Sequence, residues 1–116
     1  IVLDTLRADY LGCYGNEAGY TPHLDRLAGS GVLYERARST SPWTLPAHAS
    51  LFTSLPPTQH GVLAPQDALS GELPTIAGVL RANGWRTAAF TDGGFLSPIF
   101  GLASGFGSFD STGGGA

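Results

Sequence analysis

The sequence predicts an α/β fold with a mostly parallel sheet flanked by helices. Short apolar runs that suit strands alternate with segments whose apolar residues recur every three or four positions, as in helices. The predicted order is strand, helix, strand, helix, helix, strand, which is typical of α/β folds. With 116 residues, 42% of them hydrophobic, the chain is long enough for one modest domain with a core.

Three segments are predicted to form strands. The run IVLD at 1–4 is short and apolar and ends in a carboxylate, and VLYERARS at 32–39 alternates between apolar and polar residues. WRTAAFT at 85–91 combines aromatic and β-branched residues. The segment 56–72 is predicted to be a loop, and so is the Gly/Ser-rich segment 93–116.

Three segments carry helix signals. In 21–31, Thr21 can cap the helix, a proline suits its first turn and glycines end it. The segment 45–55 also has a proline in its first turn. The segment 73–84 has apolar residues at helical spacing and ends in an Asn-Gly pair.

Composition excludes several classes of function. The net charge is −3, with 6 basic and 9 acidic residues and no basic run, so nucleic acid is not an expected partner. The lone cysteine, Cys13, excludes an internal disulfide and a cysteine-cluster metal site. No apolar stretch approaches the roughly 18 residues of a membrane span. The chain has no methionine and finishes in a glycine-rich tail, so we expect it to be part of a longer protein.

Three polar residues follow predicted strands. Asp4 ends the first strand, Thr44 follows the second at a helix start, and Asp92 follows the third. Ligands of parallel α/β sheets gather at the carboxyl ends of the strands. The sequence therefore predicts that Asp4, Thr44 and Asp92 converge on one edge of the sheet.

Thr44 is a candidate nucleophile. The helix after it presents N–H groups and a positive dipole end, which favour an anion such as a phosphate or sulfate ester. A threonine hydroxyl needs a base or a metal to attack. Asp4 offers a carboxylate to a divalent ion, and His48, one helical turn from Thr44, is placed to bond near the site or hold its anion.

A purely structural interpretation of the same residues stays open. A threonine before a helix is usually only a cap, and an aspartate at a strand end is more often a loop hydrogen-bonder than a ligand. His48 shares helical spacing with Leu51, Phe52 and Leu55, which also suits a core histidine.

Four blocks of the sequence together resemble a known family. IVLDTLRADYLGCYGN, TPHLDRLAGSGVLYERARSTSP, TLPAHASLFTSLPPTQHGV and LPTIAGVLRANGWRTAAF occur in this order and cover nearly all of residues 1–92. They resemble the N-terminal part of the sulfatase family, within the alkaline phosphatase superfamily. The resemblance implies an alkaline phosphatase/sulfatase-like fold, with 1–116 as the N-terminal segment of a sulfatase-like catalytic domain.

The resemblance also assigns roles at the helix start. Sulfatases carry Cys or Ser, x, Pro, x, Arg, with the first residue oxidised to formylglycine. Here Thr44 falls on the nucleophile position and His48 on the arginine position. The Thr-x-Pro-x-His form is similar to the nucleotide pyrophosphatase/phosphodiesterase branch, where threonine attacks phosphorus directly. Asp4 matches the first metal-binding aspartate, and Thr5 stands where many sulfatases have a second one.

A second departure lies after the strand at 85–91. Sulfatases commonly have Gly-Lys-Trp-His there, which supplies a lysine and a histidine to the sulfate, whereas residues 91–94 here are Thr-Asp-Gly-Gly. The missing cations and the threonine nucleophile favour phosphate esters over sulfate esters.

The implied activity is metal-dependent hydrolysis of sulfuric or phosphoric esters, with Thr44 and His48 as catalytic residues and with Asp4 and Thr44 as metal ligands. The divalent ion could be calcium, zinc, manganese or magnesium. Oxygen ligands would favour calcium, manganese or magnesium over zinc. The substrate would be a small-molecule, glycan or lipid ester. Two alternatives remain: a phosphoryl- or phosphoglycerol-type transferase on the same fold, and a non-catalytic binding module that kept the fold.

Overall fold

A computed structural model of the chain describes residues 1–112. The chain divides into two compact units, Ile1–Arg38 and Ser39–Ala116. The second unit contains a parallel sheet and three of the four α-helices of the described residues. Helices combined with parallel strands confirm the predicted α/β class.

The first unit is built around helix α1, Pro22–Ser30, which confirms the helix predicted at 21–31. Thr21 occupies the cap position, but its side chain accepts no hydrogen bond from the helix. Its hydroxyl instead accepts from the Gly12 N–H at 2.9 Å and donates to Asp25 Oδ1 at 3.1 Å. Asp25 Oδ1 also accepts from the Cys13 N–H at 2.8 Å. Thr21 and Asp25 therefore tie α1 to the two short 3₁₀ turns that precede it, at 8–10 and 12–14.

Two strand predictions in this unit are wrong. Residues 1–4 and 32–39 have no strand pairing, and the apolar side chains of Ile1, Val2 and Leu3 are exposed. An apolar run becomes a strand only when a neighbouring strand accepts and donates its backbone hydrogen bonds. No strand exists among residues 1–38 to serve as that neighbour.

The second unit contains helices α2 (Thr44–Thr53), α3 (Pro57–His60) and α4 (Ile76–Ala82). The helices predicted at 45–55 and 73–84 are thus confirmed, with α4 starting three residues late. It starts late because Thr75 caps it, its hydroxyl accepting from the Gly78 N–H at 3.1 Å. The short helix α3 lies in the segment 56–72, which was predicted to be a loop.

The core of the second unit gathers around the buried face of α2. Leu45 and Ala49, one turn apart on that face, have no exposed surface. Partly buried aromatic and aliphatic side chains surround this cluster. Its other buried members are Val62, Leu69 and Leu102. This packing fixes the position of α2, and with it the position of Thr44 at its first turn.

The sheet consists of two parallel strands, β1 (Ala88–Thr91) and β2 (Ser108–Ser111), in the register Ala88 with Ser108. Strand β1 confirms the last four residues of the strand predicted at 85–91. Strand β2 corrects the loop prediction for 93–116, which the structure describes as far as residue 112. The polar sequence of β2 carries no local strand signal, and its pairing with β1 supplies the missing stabilisation.

Candidate functional site

Thr44 is the first residue of α2 and is half-buried. The residue before it, Trp43, is fully extended, with φ −142° and ψ 162°, so the chain enters the helix abruptly. Pro46 has no N–H and suits the first turn. The first N–H groups of an α-helix point out of its start, and the positive end of the helix dipole lies there. The hydroxyl of Thr44 thus stands beside the positive end of a ten-residue helix.

The start of α2 packs against the segment that follows β1. The rings of Trp43 and Phe95 meet edge to face, with centroids 5.4 Å apart. Phe95 lies in the 3₁₀ turn Gly94–Leu96, shortly after Asp92. The helix start and the residues beyond the carboxyl end of β1 are therefore neighbours within the second unit, as parallel α/β architecture predicts.

His48 is 6% exposed and lies one turn after Thr44. Its Nδ1 is 2.9 Å from the backbone carbonyl oxygen of Thr44. Since a carbonyl oxygen only accepts, Nδ1 carries the proton and donates it. Nε2 is then an unprotonated acceptor in the neutral ring. It is buried and has no hydrogen-bond partner among residues 1–112.

These contacts define what His48 does in this structure. Its ring fixes the backbone of Thr44 through the Nδ1–H bond, while Nε2 makes no bond to the Thr44 hydroxyl. Phe52, one turn further along α2, meets the ring edge to face at 6.4 Å. His48 therefore combines the two interpretations of the sequence, because it is a buried histidine that also touches the candidate nucleophile.

Asp4 lies in the first unit, in an exposed turn with Thr5. Thr5 has a left-handed backbone, with φ 57°, which is strained for a β-branched residue. Strained conformations of this kind cluster at functional sites. Asp4 and Thr44 belong to different units, so their convergence on one ion stays a prediction.

No group of three or more His, Cys, Asp and Glu side chains is placed to hold a metal within residues 1–112. Asp4 and Thr44 would therefore supply only part of a coordination shell. In the same range, no helix is long and apolar enough to cross a membrane.

A second buried histidine forms a polar pair that sequence patterns do not indicate. Ser50 Oγ lies 3.0 Å from His60 Nε2, and His60 Nδ1 accepts from the Val62 N–H at 3.1 Å. Because a backbone N–H only donates, Nδ1 is unprotonated and Nε2–H donates to Ser50. The histidine is thus the donor in this pair and does not act as a base toward Ser50. The pair fastens α2 to the end of α3.

Comparison with protein families gives a match over almost the whole chain. The family model described as Sulfatase matches residues 1–111. Steryl-sulfatase from Mus musculus is 37% identical over 99 residues, which cover 76% of this chain and 16% of that protein. An arylsulfatase from Clostridium perfringens (strain 13 / Type A) is 34% identical over 88 residues, covering 75% of this chain and 18% of that protein.

Comparison with solved structures gives a similar architecture. The phosphonate monoester hydrolase of Agrobacterium radiobacter superposes with a TM-score of 0.75 and 27% sequence identity, over 88% of this chain and 23% of that one. The chain spans less than a quarter of the length of each of these three proteins.

Proposed function

Since this chain belongs to the sulfatase family, we propose that it forms part of a metal-dependent hydrolase of sulfuric or phosphoric esters, with Thr44 as its nucleophile. The single observation that carries the proposal is the position of Thr44. It is the half-buried first residue of α2, its carbonyl is held by His48, and the helix start packs on the segment after β1. Sulfatases and the phosphonate monoester hydrolase, the named relatives, are hydrolases of related esters.

The reaction proposed for Thr44 has two displacements. In the first, Oγ1 of Thr44 forms a bond to the sulfur or phosphorus as the bond to the leaving alcohol oxygen breaks. The proton lost by the hydroxyl is balanced by the proton that the alcohol takes up. In the second, water cleaves the Thr44 ester and restores the hydroxyl. The product is sulfate from a sulfate ester, a phosphate monoester from a phosphate diester, and a phosphonate from a phosphonate ester. The positive end of α2 favours the anionic group throughout.

Asp4 and Thr44 are the proposed metal ligands. A carboxylate and a hydroxyl are hard oxygen donors, and in kind they fit calcium, magnesium or manganese better than zinc. When bound, the ion would act as a Lewis acid that stabilises negative charge on oxygen. The ion would need further ligands besides Asp4 and Thr44, because residues 1–112 contain no group of three or more His, Cys, Asp and Glu side chains that could hold a metal.

His48 is proposed as a positioning residue. Its Nδ1–H bond holds the Thr44 carbonyl, and so the start of the helix on which the nucleophile stands.

Substitution of Thr44 in the complete protein tests the proposal. Thr44→Ala should abolish turnover of aryl sulfates and aryl phosphate diesters while the protein still folds. Thr44→Ser should keep part of the activity because it keeps the hydroxyl. Turnover of Thr44→Ala at the wild-type rate would mean that another group is the nucleophile.

We further propose that phosphorus esters are the preferred substrates. A secondary alcohol attacks phosphorus directly, whereas typical sulfatases use formylglycine, and the likeness to a phosphonate monoester hydrolase favours phosphorus. Side-by-side kinetics on matched nitrophenyl phosphate, phosphonate and sulfate esters decide the matter. A higher kcat/KM for the sulfate would reverse the ranking.

A further inference from the structure

A cleft of about 640 Å³ opens at the amino ends of both strands, next to the last turn of α4. It lies at the end of β1 away from the segment on which the start of α2 packs. No residue of the proposed Thr44 site lines it. Its lining includes Arg81, Trp85, Arg86, Thr87, Gly107 and Ser108.

The cleft carries positive charge without a compensating acid. Arg81 and Arg86 line it, and no aspartate or glutamate does. Among residues 1–112, neither Arg81 nor Arg86 forms an ion pair with a carboxylate; Arg7 pairs with Asp9 instead. Arg81 Nη1 donates to the Phe106 carbonyl at 3.5 Å, a long contact that leaves its other N–H donors available. Guanidinium groups pair well with oxyanions, often through two parallel bonds.

Trp85 adds a flat apolar wall. Trp85 is 66% exposed. Its backbone is anchored to the end of α4, since its N–H donates to the Leu80 carbonyl at 3.1 Å. An exposed indole fixed at its base offers a face on which a planar ring can stack.

The floor of the cleft is held rigidly by Thr87. Its hydroxyl donates to the Gly105 carbonyl at 3.0 Å and accepts from the Gly107 N–H at 2.9 Å. Its carbonyl accepts from the N–H groups of Gly107 and Ser108, at 2.9 and 3.2 Å. These bonds join the starts of β1 and β2, so a ligand would meet a preorganised surface.

We propose that this cleft binds an organic oxyanion, a sulfonate or a sulfate or phosphate ester that carries a flat ring. The oxyanion pairs with Arg81 and Arg86, and the ring stacks on Trp85. The proposal does not depend on the role of Thr44.

Calorimetric titration of the complete protein with benzenesulfonate tests the proposal, with inorganic sulfate and benzyl alcohol as the anion-only and ring-only probes. Benzenesulfonate should bind more tightly than either. Arg81→Gln and Arg86→Gln should each raise its Kd about tenfold, the worth of one charged hydrogen bond. Trp85→Leu should raise the Kd of benzenesulfonate and leave the Kd of inorganic sulfate unchanged.

Two controls make the result decisive. Arg36→Gln removes the same charge from the other unit and should leave the Kd unchanged, and Arg86→Lys should retain part of the affinity. Ester turnover by Arg86→Gln should match wild type, which also shows that the variant folds. A Kd that is insensitive to Arg81, Trp85 and Arg86, or that rises equally in Arg36→Gln, would overturn the proposal. If the wild-type protein has no esterase activity, its unfolding temperature replaces turnover as the folding control, and the binding result stands by itself.

Discussion

His48 donates its Nδ1 proton to the backbone carbonyl of Thr44 at 2.9 Å, while its Nε2 is buried without a partner among residues 1–112. Nδ1 therefore stabilises the start of the helix. Burial of Nε2 destabilises the folded state, because a buried polar atom without a partner loses its hydration. Such a cost is tolerated most readily where a residue has a functional role.

This relationship predicts that stability and activity respond differently to the loss of His48. His48→Leu removes the unpaired Nε2, so the free energy of unfolding should change little or rise. It also removes the hold on the Thr44 carbonyl, so kcat/KM should fall on the order of 10- to 100-fold, as for other orienting residues. Thermal unfolding and ester turnover on the same preparations measure the two effects.

His48→Asn is the matched control, because its amide N–H can replace the Nδ1–H donor. Its kcat/KM should lie between those of wild type and His48→Leu. If His48→Leu lowered the free energy of unfolding as well as kcat/KM, the positioning role would be contradicted. His48 would then act as a structural residue of the core.

The two buried histidines are predicted to be opposite tautomers. His48 Nδ1 faces a carbonyl and must carry the proton, whereas His60 Nδ1 faces the Val62 N–H and must lack it. Long-range proton–nitrogen NMR at pH 8 should show Nδ1–H for His48 and Nε2–H for His60. Finding both rings in one tautomer would contradict the hydrogen bonds on which this argument rests.

The hydrogen bond between Ser50 and His60 should contribute measurably to the stability of the protein. Ser50→Ala leaves the His60 Nε2–H buried without its acceptor, which should cost about 1–3 kcal/mol of stability. Urea unfolding measures the loss. Ser30→Ala is the control, because Ser30 is exposed and its hydroxyl donates within its own helix, to the Leu27 carbonyl.

Local signals predicted the helices, and they failed where structure depends on distant partners. A proline in the first turn and glycines at the end suffice to locate α1. Residues 1–4 and 32–39 have the composition of strands but no strand beside them in their unit. The reverse holds for Ser108–Ser111, which is polar in sequence yet pairs with β1.

In the candidate site, too, the sequence indicated contacts at short spacing but not those between distant residues. The four-residue spacing of Thr44 and His48 indicated a contact, and the structure has one. The link between Ser50 and His60 spans ten residues and two helices. It depends on the left-handed turn at Ser54, where φ is 60°, and no periodicity in the sequence indicates it.

Gly105 should be among the least replaceable residues of the second unit. It has φ +86°, and a Cβ there would collide with the backbone of Gly78 and with the Thr75 hydroxyl. Gly105→Ala adds a left-handed backbone penalty to an overpacked contact, so we expect a loss of about 2–4 kcal/mol. Urea unfolding provides the measurement.

Gly61 separates the two contributions to that loss. It also has a positive φ, +76°, but nothing lies within 4 Å of its Cβ position. Gly61→Ala should therefore show only the backbone penalty, about 1–2 kcal/mol. Equal losses at Gly61 and Gly105 would mean that the close approach to α4 contributes nothing.

Asp67 should make stability depend on pH in the acid range. The backbone N–H groups of Leu63 and Ala64 donate to its Oδ2 at 2.8 and 2.7 Å. These bonds hold the pKa of the Asp67 carboxyl below its ordinary value of 3.8. A carboxyl whose pKa is lowered by folding stabilises the protein fully above its unfolded pKa, and the stabilisation disappears as the pH falls through the folded value.

Asp67→Asn should therefore be less stable than wild type at pH 7, and the difference should shrink as the pH drops below 3.8. Urea unfolding from pH 7 down to pH 3 measures this convergence. The control, Gln66→Ala, changes the neighbouring exposed side chain without removing a titrating group, so its difference from wild type should be the same at every pH. A gap between Asp67→Asn and wild type that also stays constant with pH would show that the two backbone bonds do not favour the charged carboxylate.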